Sequence, residues 1–113
     1  MAQAQSPSQS GDAVKLDPKH YEVEYENDRF RVLRVKYGPN EKSVMHRHPA
    51  GVVIVLSDCD FRTYLPQGKE RTISGRRGQV IGFDKPFEHL PENLSTKPFE
   101  AIFVEVKEPQ DGE

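Results

Sequence analysis

Tryptophan is absent from this chain of 113 residues, cysteine occurs once and methionine only twice. A lone cysteine, Cys59, has no intrachain disulfide partner, so nothing in the sequence asks for an oxidising compartment. Long apolar runs are missing too: none approaches the ~20 residues that span a bilayer. The opening MAQAQSPSQSGDA has neither the basic stretch nor the apolar stretch of a secretory signal. The expectation is a soluble, cytoplasmic protein. An excess of one charge sign is lacking as well, with 16 Lys and Arg against 18 Asp and Glu and a formal net charge of −2. That balance argues against nucleic acid or an anionic membrane as an electrostatic partner. No periodic apolar stretch is long enough for a large helix, and eight glycines and nine prolines punctuate the chain. An all-α fold is excluded.

The apolar residues, 35% of the total, are gathered in short dense patches. Of the first thirteen residues, eight are Gln, Ser, Pro or Gly, too few apolar groups to offset the entropy of ordering them. Residues 1–15 are therefore expected to form a polar tail, or an arm on a neighbour. Residues 109–113 form a second tail, and 16–108 form one domain. Within that domain, HYEVEYE at 20–26 alternates Tyr21, Val23 and Tyr25 with glutamates, the period of a half-buried strand. FRVLRVKY at 30–37 follows, ended by Gly38-Pro39-Asn40. A short extended piece at 44–48 stops at Pro49. GVVIVL at 51–56 is a continuous β-branched run, expected to be covered on both faces. Further strands fall at 61–65, 70–73 and 79–83, with a short piece at 87–90 stopped by Pro91 and a last strand, FEAIFVEV, at 99–106. Eight or nine short strands at this spacing predict an all-β sandwich or closed barrel.

Four histidines are present: His20, His46, His48 and His89. His46 and His48 are two apart on an extended segment, so both imidazoles project to one side, with Cα atoms roughly 6.6 Å apart. From there they can converge on one ion at ~2.0–2.1 Å, while Arg47 points the other way. The plainer reading is a pair of core histidines. His89, between two strands of a different hairpin, can return to the same interior.

At this point the sequence resembles the cupin superfamily. The second cupin motif is matched in spacing by Gly78, His89 and Asn93, with Asp84 where Pro is usual and Pro86 where Gly is usual. The first motif is matched by His46 and His48, with Asn40 in the leading Gly slot; Asn is the residue next most tolerant of a left-handed turn. The resemblance spans roughly residues 28–107 and implies a double-stranded β-helix, or jelly-roll barrel. One departure stands out: the glutamate ligand slot holds Val52 or Val53. The implied site is then three neutral histidines, similar to the three-histidine iron cupins such as thiol and diketone dioxygenases.

Three neutral ligands leave a divalent ion its full charge, so a small organic anion, monodentate or bidentate, is the expected substrate. Fe(II) is the favoured metal, with Zn, Ni, Mn or Cu as alternatives. A dioxygenase-like oxidoreductase is the leading activity. A binding or sensor module without catalysis, or a metal-dependent isomerase or lyase, are the rivals. Because histidines must be neutral to ligate, metal affinity is expected to fall below about pH 6.

The remaining candidates are assigned ordinary roles. His20 is expected at a surface or strand edge, Cys59 in a plain turn, and Arg76-Arg77 in solvent. Asp84, Glu88 and Glu92 are candidates to orient an imidazole. Tyr64, Phe83, Phe87 and Phe103 are candidate pocket walls, with core packing as the default for each. The first strand offers an edge through which a homodimer could form.

Overall fold

The computed structural model describes residues 11–108. They form a short helix, α1 (Ala13–Leu16), and nine strands: β1 (Tyr21–Glu26), β2 (Phe30–Tyr37), β3 (His46–His48), β4 (Gly51–Val55), β5 (Cys59–Tyr64), β6 (Glu70–Gly75), β7 (Val80–Phe83), β8 (Phe87–Asn93) and β9 (Phe99–Val106). The strands make two sheets, ordered β1-β2-β9-β4-β7 and β3-β8-β5-β6, and every strand pairing is antiparallel. This is the all-β fold expected from the strand pattern, in the double-stranded β-helix form that the family resemblance implies. No helix among the described residues is long and apolar enough to cross a membrane.

Period-two alternation builds the core. Leu33, Val35 and Tyr37 of β2, Ala101 and Phe103 of β9, Val55 of β4 and Phe61 of β5 are all buried. The turns at Asn40, with φ 60°, and Gly78, with φ 89°, rest on left-handed backbone. Asn40 thus does the work of the glycine whose slot it fills.

Four expectations change on folding. β1 does not bury one whole face: Tyr21 is buried, yet Tyr25 is 57% exposed. A bulge between Val23 and Tyr25 puts Tyr25 opposite Val32, one residue out of phase with the buried Leu33 and Val35, and so on the outer face. β4 is not fully covered on either face: on its inner face Gly51 and Val55 are buried but Val53, at the cavity, is half-buried. Its outer Val52 and Ile54 are half-buried, shielded by Val104 and Ile102 directly opposite on β9. β8 runs through Pro91 instead of stopping there. Pro91 lies beyond the last β3 pair, where the missing N–H costs no β3 bond, and its carbonyl accepts from the N–H of Ser43 at 2.9 Å.

The fourth change concerns residues 11–15, expected to belong to a tail. Asp12 caps α1, accepting from the N–H of Val14 at 3.1 Å. Ala13 is wholly buried, and the Arg47 N–H donates to the Gly11 carbonyl at 2.7 Å. The expected tails at 1–10 and 109–113 lie outside the described residues.

Candidate metal centre

Strand register alone brings the three histidines together. His46 stands directly opposite His89 across the β3–β8 pair, and His48 stands two residues along, opposite Phe87. Opposed residues of an antiparallel pair share a face, so all three imidazoles project inward. Ring centroids are 4.8 Å apart for His46–His48 and His46–His89, and 5.2 Å for His48–His89. One ring nitrogen of each lies within 4.8 Å of the others. Arg47, between the two, turns outward towards Glu88, with Nη1 3.9 Å from its carboxylate.

The Nδ1 atoms are all engaged. His46 Nδ1–H donates to the Val44 carbonyl at 2.8 Å, with Ser43 Oγ at 3.1 Å. His48 Nδ1–H donates to Glu105 Oε2 at 2.6 Å. His89 Nδ1 is 3.2 Å from Thr63 Oγ1. The Nε2 atoms of His46, His48 and His89 are buried and have no hydrogen-bond partner among the described residues. Three orphaned acceptors aimed at one another would be costly in a metal-free core. An ion with ~2.0–2.1 Å bonds would satisfy all three after a small inward movement of the rings. The donor set fits a divalent transition metal.

The electrostatics agree. Burial first, and then the neighbouring His48, push the His46 imidazole down to about 4. Burial, with His48 and His46, holds His89 well below the ordinary histidine value. Both rings are therefore kept in the neutral form that ligation requires.

Behind His48 and His89 lies a cavity of about 110 Å³ between the sheets. Its walls are mostly aliphatic and aromatic, including Val35, Val53, Val55, Ile81 and Phe103. Tyr21 and Tyr37 also line it, and their hydroxyls bond each other at 2.6 Å. Burial, the largest cause in each, raises both phenols above their ordinary value.

Solved structures supply an independent comparison. A cupin domain from Bordetella pertussis Tohama I is 25% identical and superposes with a TM-score of 0.72, covering 78% of this chain and 92% of that one. The chain is a small cupin. Two further likenesses, to a cupin superfamily protein of Desulfitobacterium hafniense DCB-2 and the Cnp3 cupin domain of Schizosaccharomyces pombe, are ones of fold alone. They are 9% and 8% identical, with TM-scores of 0.59 and 0.60. Each covers 78% of this chain, and 76% and 60% respectively of the other. No protein-family model and no curated protein matches the sequence.

In this cupin the valines of the glutamate slot stay away from the histidine nitrogens' hydrogen-bonding shell: Val53 lines the cavity and Val52 faces outward against Val104. The nearest carboxylate is instead Glu105, which sequence reasoning missed. It is 1% exposed and accepts at once from His48 and, through Oε1, from Arg31 Nε at 2.8 Å. Arg31 in turn donates to Asp12 Oδ1 at 2.6 Å. A signal was there to find: Phe99, Ala101, Phe103 and Glu105 share one phase of β9, so a carboxylate occupies the buried phase of a central strand.

Several other residues sit elsewhere than expected. The orienting groups for the imidazoles are Val44, Glu105 and Thr63, not Asp84, Glu88 or Glu92; Asp84 is exposed and Glu92 accepts from the Tyr64 hydroxyl at 2.9 Å. Of the four candidate pocket walls, only Phe103 lines the cavity. Phe83 stacks on Phe87 at 4.4 Å, and Phe87 meets His89 edge-on at 4.9 Å, beside the histidines but outside the cavity. Tyr64 falls on the opposite phase of β5 from Phe61 and Thr63, so its ring faces away, under Lys42.

His20 is buried, not a surface or edge residue. It precedes β1, where the chain folds back so that its ring stacks on Tyr37 at 4.2 Å. Its nitrogens lie 2.7 Å from Asp17 and 3.0 Å from Glu41. Glu41 is drawn down to about 2, chiefly by Lys19, then by the Gly38 N–H and His20. Cys59 opens β5 and lines the cavity, and burial raises its thiol. Arg76 and Arg77 are exposed, as expected.

Proposed function

We propose that this cupin holds a divalent transition metal, Fe(II) in the first instance, through His46, His48 and His89, and is a dioxygenase-like oxidoreductase acting on a small organic molecule. The observation that carries the reading is the trio of buried, unpartnered Nε2 atoms facing one another. When bound, the metal would supply open coordination positions for substrate and O₂. The chain's own residues bind and orient it: Val44, Glu105 and Thr63 fix the rings, and the apolar walls keep bulk water from the site.

The lining favours oxidation over a metal-dependent isomerase or lyase. Those reactions need a positioned base to move a proton. Tyr21 and Tyr37 are tied to each other and held protonated, and the Cys59 thiol is raised by burial. The remaining imidazoles are the ligands themselves.

The test is oxygen uptake by Fe(II)-loaded protein given small thiols. Uptake that needs both metal and substrate, and vanishes in His89→Ala, is the expected result. A metal-loaded protein that binds these molecules and returns every one unchanged would overturn the enzymatic reading in favour of a binding module.

A further inference from the structure

The cavity behind the histidines constrains what they can meet. Among the described residues, no Lys, Arg, Asp or Glu lines it. Its polar lining groups are already engaged or weak: the Tyr21 and Tyr37 hydroxyls bond each other, and Thr63 Oγ1 lies against His89 Nδ1. Apart from the histidines themselves, the remaining polar side chain in the wall is Cys59, a weak donor. At about 110 Å³ the space is smaller than the ~150 Å³ apolar cavity that holds a benzene molecule.

Resting on the metal reading above, we propose that the ligand of this site is a small monofunctional molecule. It presents one donor group, anionic when bound, to the metal at His46, His48 and His89, and an uncharged hydrocarbon body of about half a dozen heavy atoms or fewer to the cavity. The expected organic anion is thereby narrowed to one whose charge sits on the ligating atom. A second charge would be buried against valine, isoleucine and phenylalanine with nothing to pair it. Amino acids, sugars and dicarboxylates are excluded by the same argument, and so are long chains.

The full-length protein loaded with Co(II) tests this directly, because a coordinating thiolate changes the visible spectrum of the ion. The probes are 1-propanethiol, 3-mercaptopropionate and 1-octanethiol, which share a donor and differ in added charge or length. The expected result is spectral saturation by 1-propanethiol at a Kd at least tenfold below that of either of the others. Equal or tighter binding of 3-mercaptopropionate would overturn the proposal while leaving the metal reading intact. A protein that takes up no Co(II) would overturn both.

Ala101→Val, which fills the cavity wall between Val35 and Val55, should keep Co(II) stoichiometry and weaken 1-propanethiol at least tenfold. Val53→Leu is the second variant should the first not fold. Unchanged 1-propanethiol affinity in a folded, Co(II)-loaded variant would place the hydrocarbon body outside the cavity and contradict the proposal.

Discussion

The Nδ1 of His48 and the Oε2 of Glu105 lie 2.6 Å apart, both side chains almost wholly buried, on strands that are 57 residues apart in the chain. The carboxylate that Val52 and Val53 deny to the coordination shell is thus retained one bond further out. It fixes the His48 tautomer and ring orientation so that Nε2 offers its lone pair. Glu105→Ala is expected to weaken metal binding by about 10–100-fold, with Glu105→Gln losing less because it keeps an acceptor for Nδ1–H. Competition against a chelator of known affinity measures both. Equal affinity in wild type and Glu105→Ala would remove Glu105 from the site.

The titration of the metal-free site should be visible in stability. Folded His46 takes up its proton only near 4, against an ordinary value of 6.5. Between those values the unfolded chain binds more protons than the folded one, so stability falls as pH drops from about 6.5 to about 4 and levels below that. His46 alone contributes on the order of 3 kcal/mol to this fall, and His89, also lowered, adds to it. Urea midpoints of metal-free wild type and His46→Gln across that range check it, the variant showing the shallower slope. Proton competition for His46 is likewise deferred, so metal retention should extend below the pH of about 6 expected of ordinary histidines.

Gly51 is where β4 lies against β9 at Glu105. A Cβ there would sit 2.1 Å from the Val104 carbonyl oxygen and 2.9 Å from Phe103 Cε1. Gly51→Ala must push the two strands apart, at a cost of about 1–3 kcal/mol or more. Thermal unfolding should show a drop of at least several degrees. Because Glu105 and Phe103 move with β9, metal affinity should fall as well. An unchanged melting temperature would contradict the tight approach of the two strands.

Much of this molecule could be read before folding. Alternation in FRVLRVKY and FEAIFVEV, with Gly and Pro between the runs, marks the strands because side-chain direction along a strand has a period of two. The three histidines follow from the same periodicity and from motif spacing. What stayed hidden depends on partners distant in the chain. Glu105 acquires its role only when β9 brings it beneath His48 and Arg31. The β1 bulge is set by pairing with β2, and no single-strand pattern shows it. His20 looked like part of a glutamate-rich face until the chain folded back and stacked it on Tyr37. Residues 11–15 continue a run poor in large apolar groups, and what orders them is the Asp12–Arg31 pair and a backbone bond to Arg47.

The proposed function requires a metal at His46, His48 and His89. Elemental analysis of protein purified without chelators, beside His46→Ala, His48→Ala and His89→Ala, addresses it most directly. One divalent transition metal per chain in wild type, and none in any variant that keeps the β-sheet circular dichroism of the parent, is the predicted result. A wild-type protein that stays metal-free when offered Fe(II), Co(II) or Zn(II), or a folded variant with undiminished metal, would contradict it.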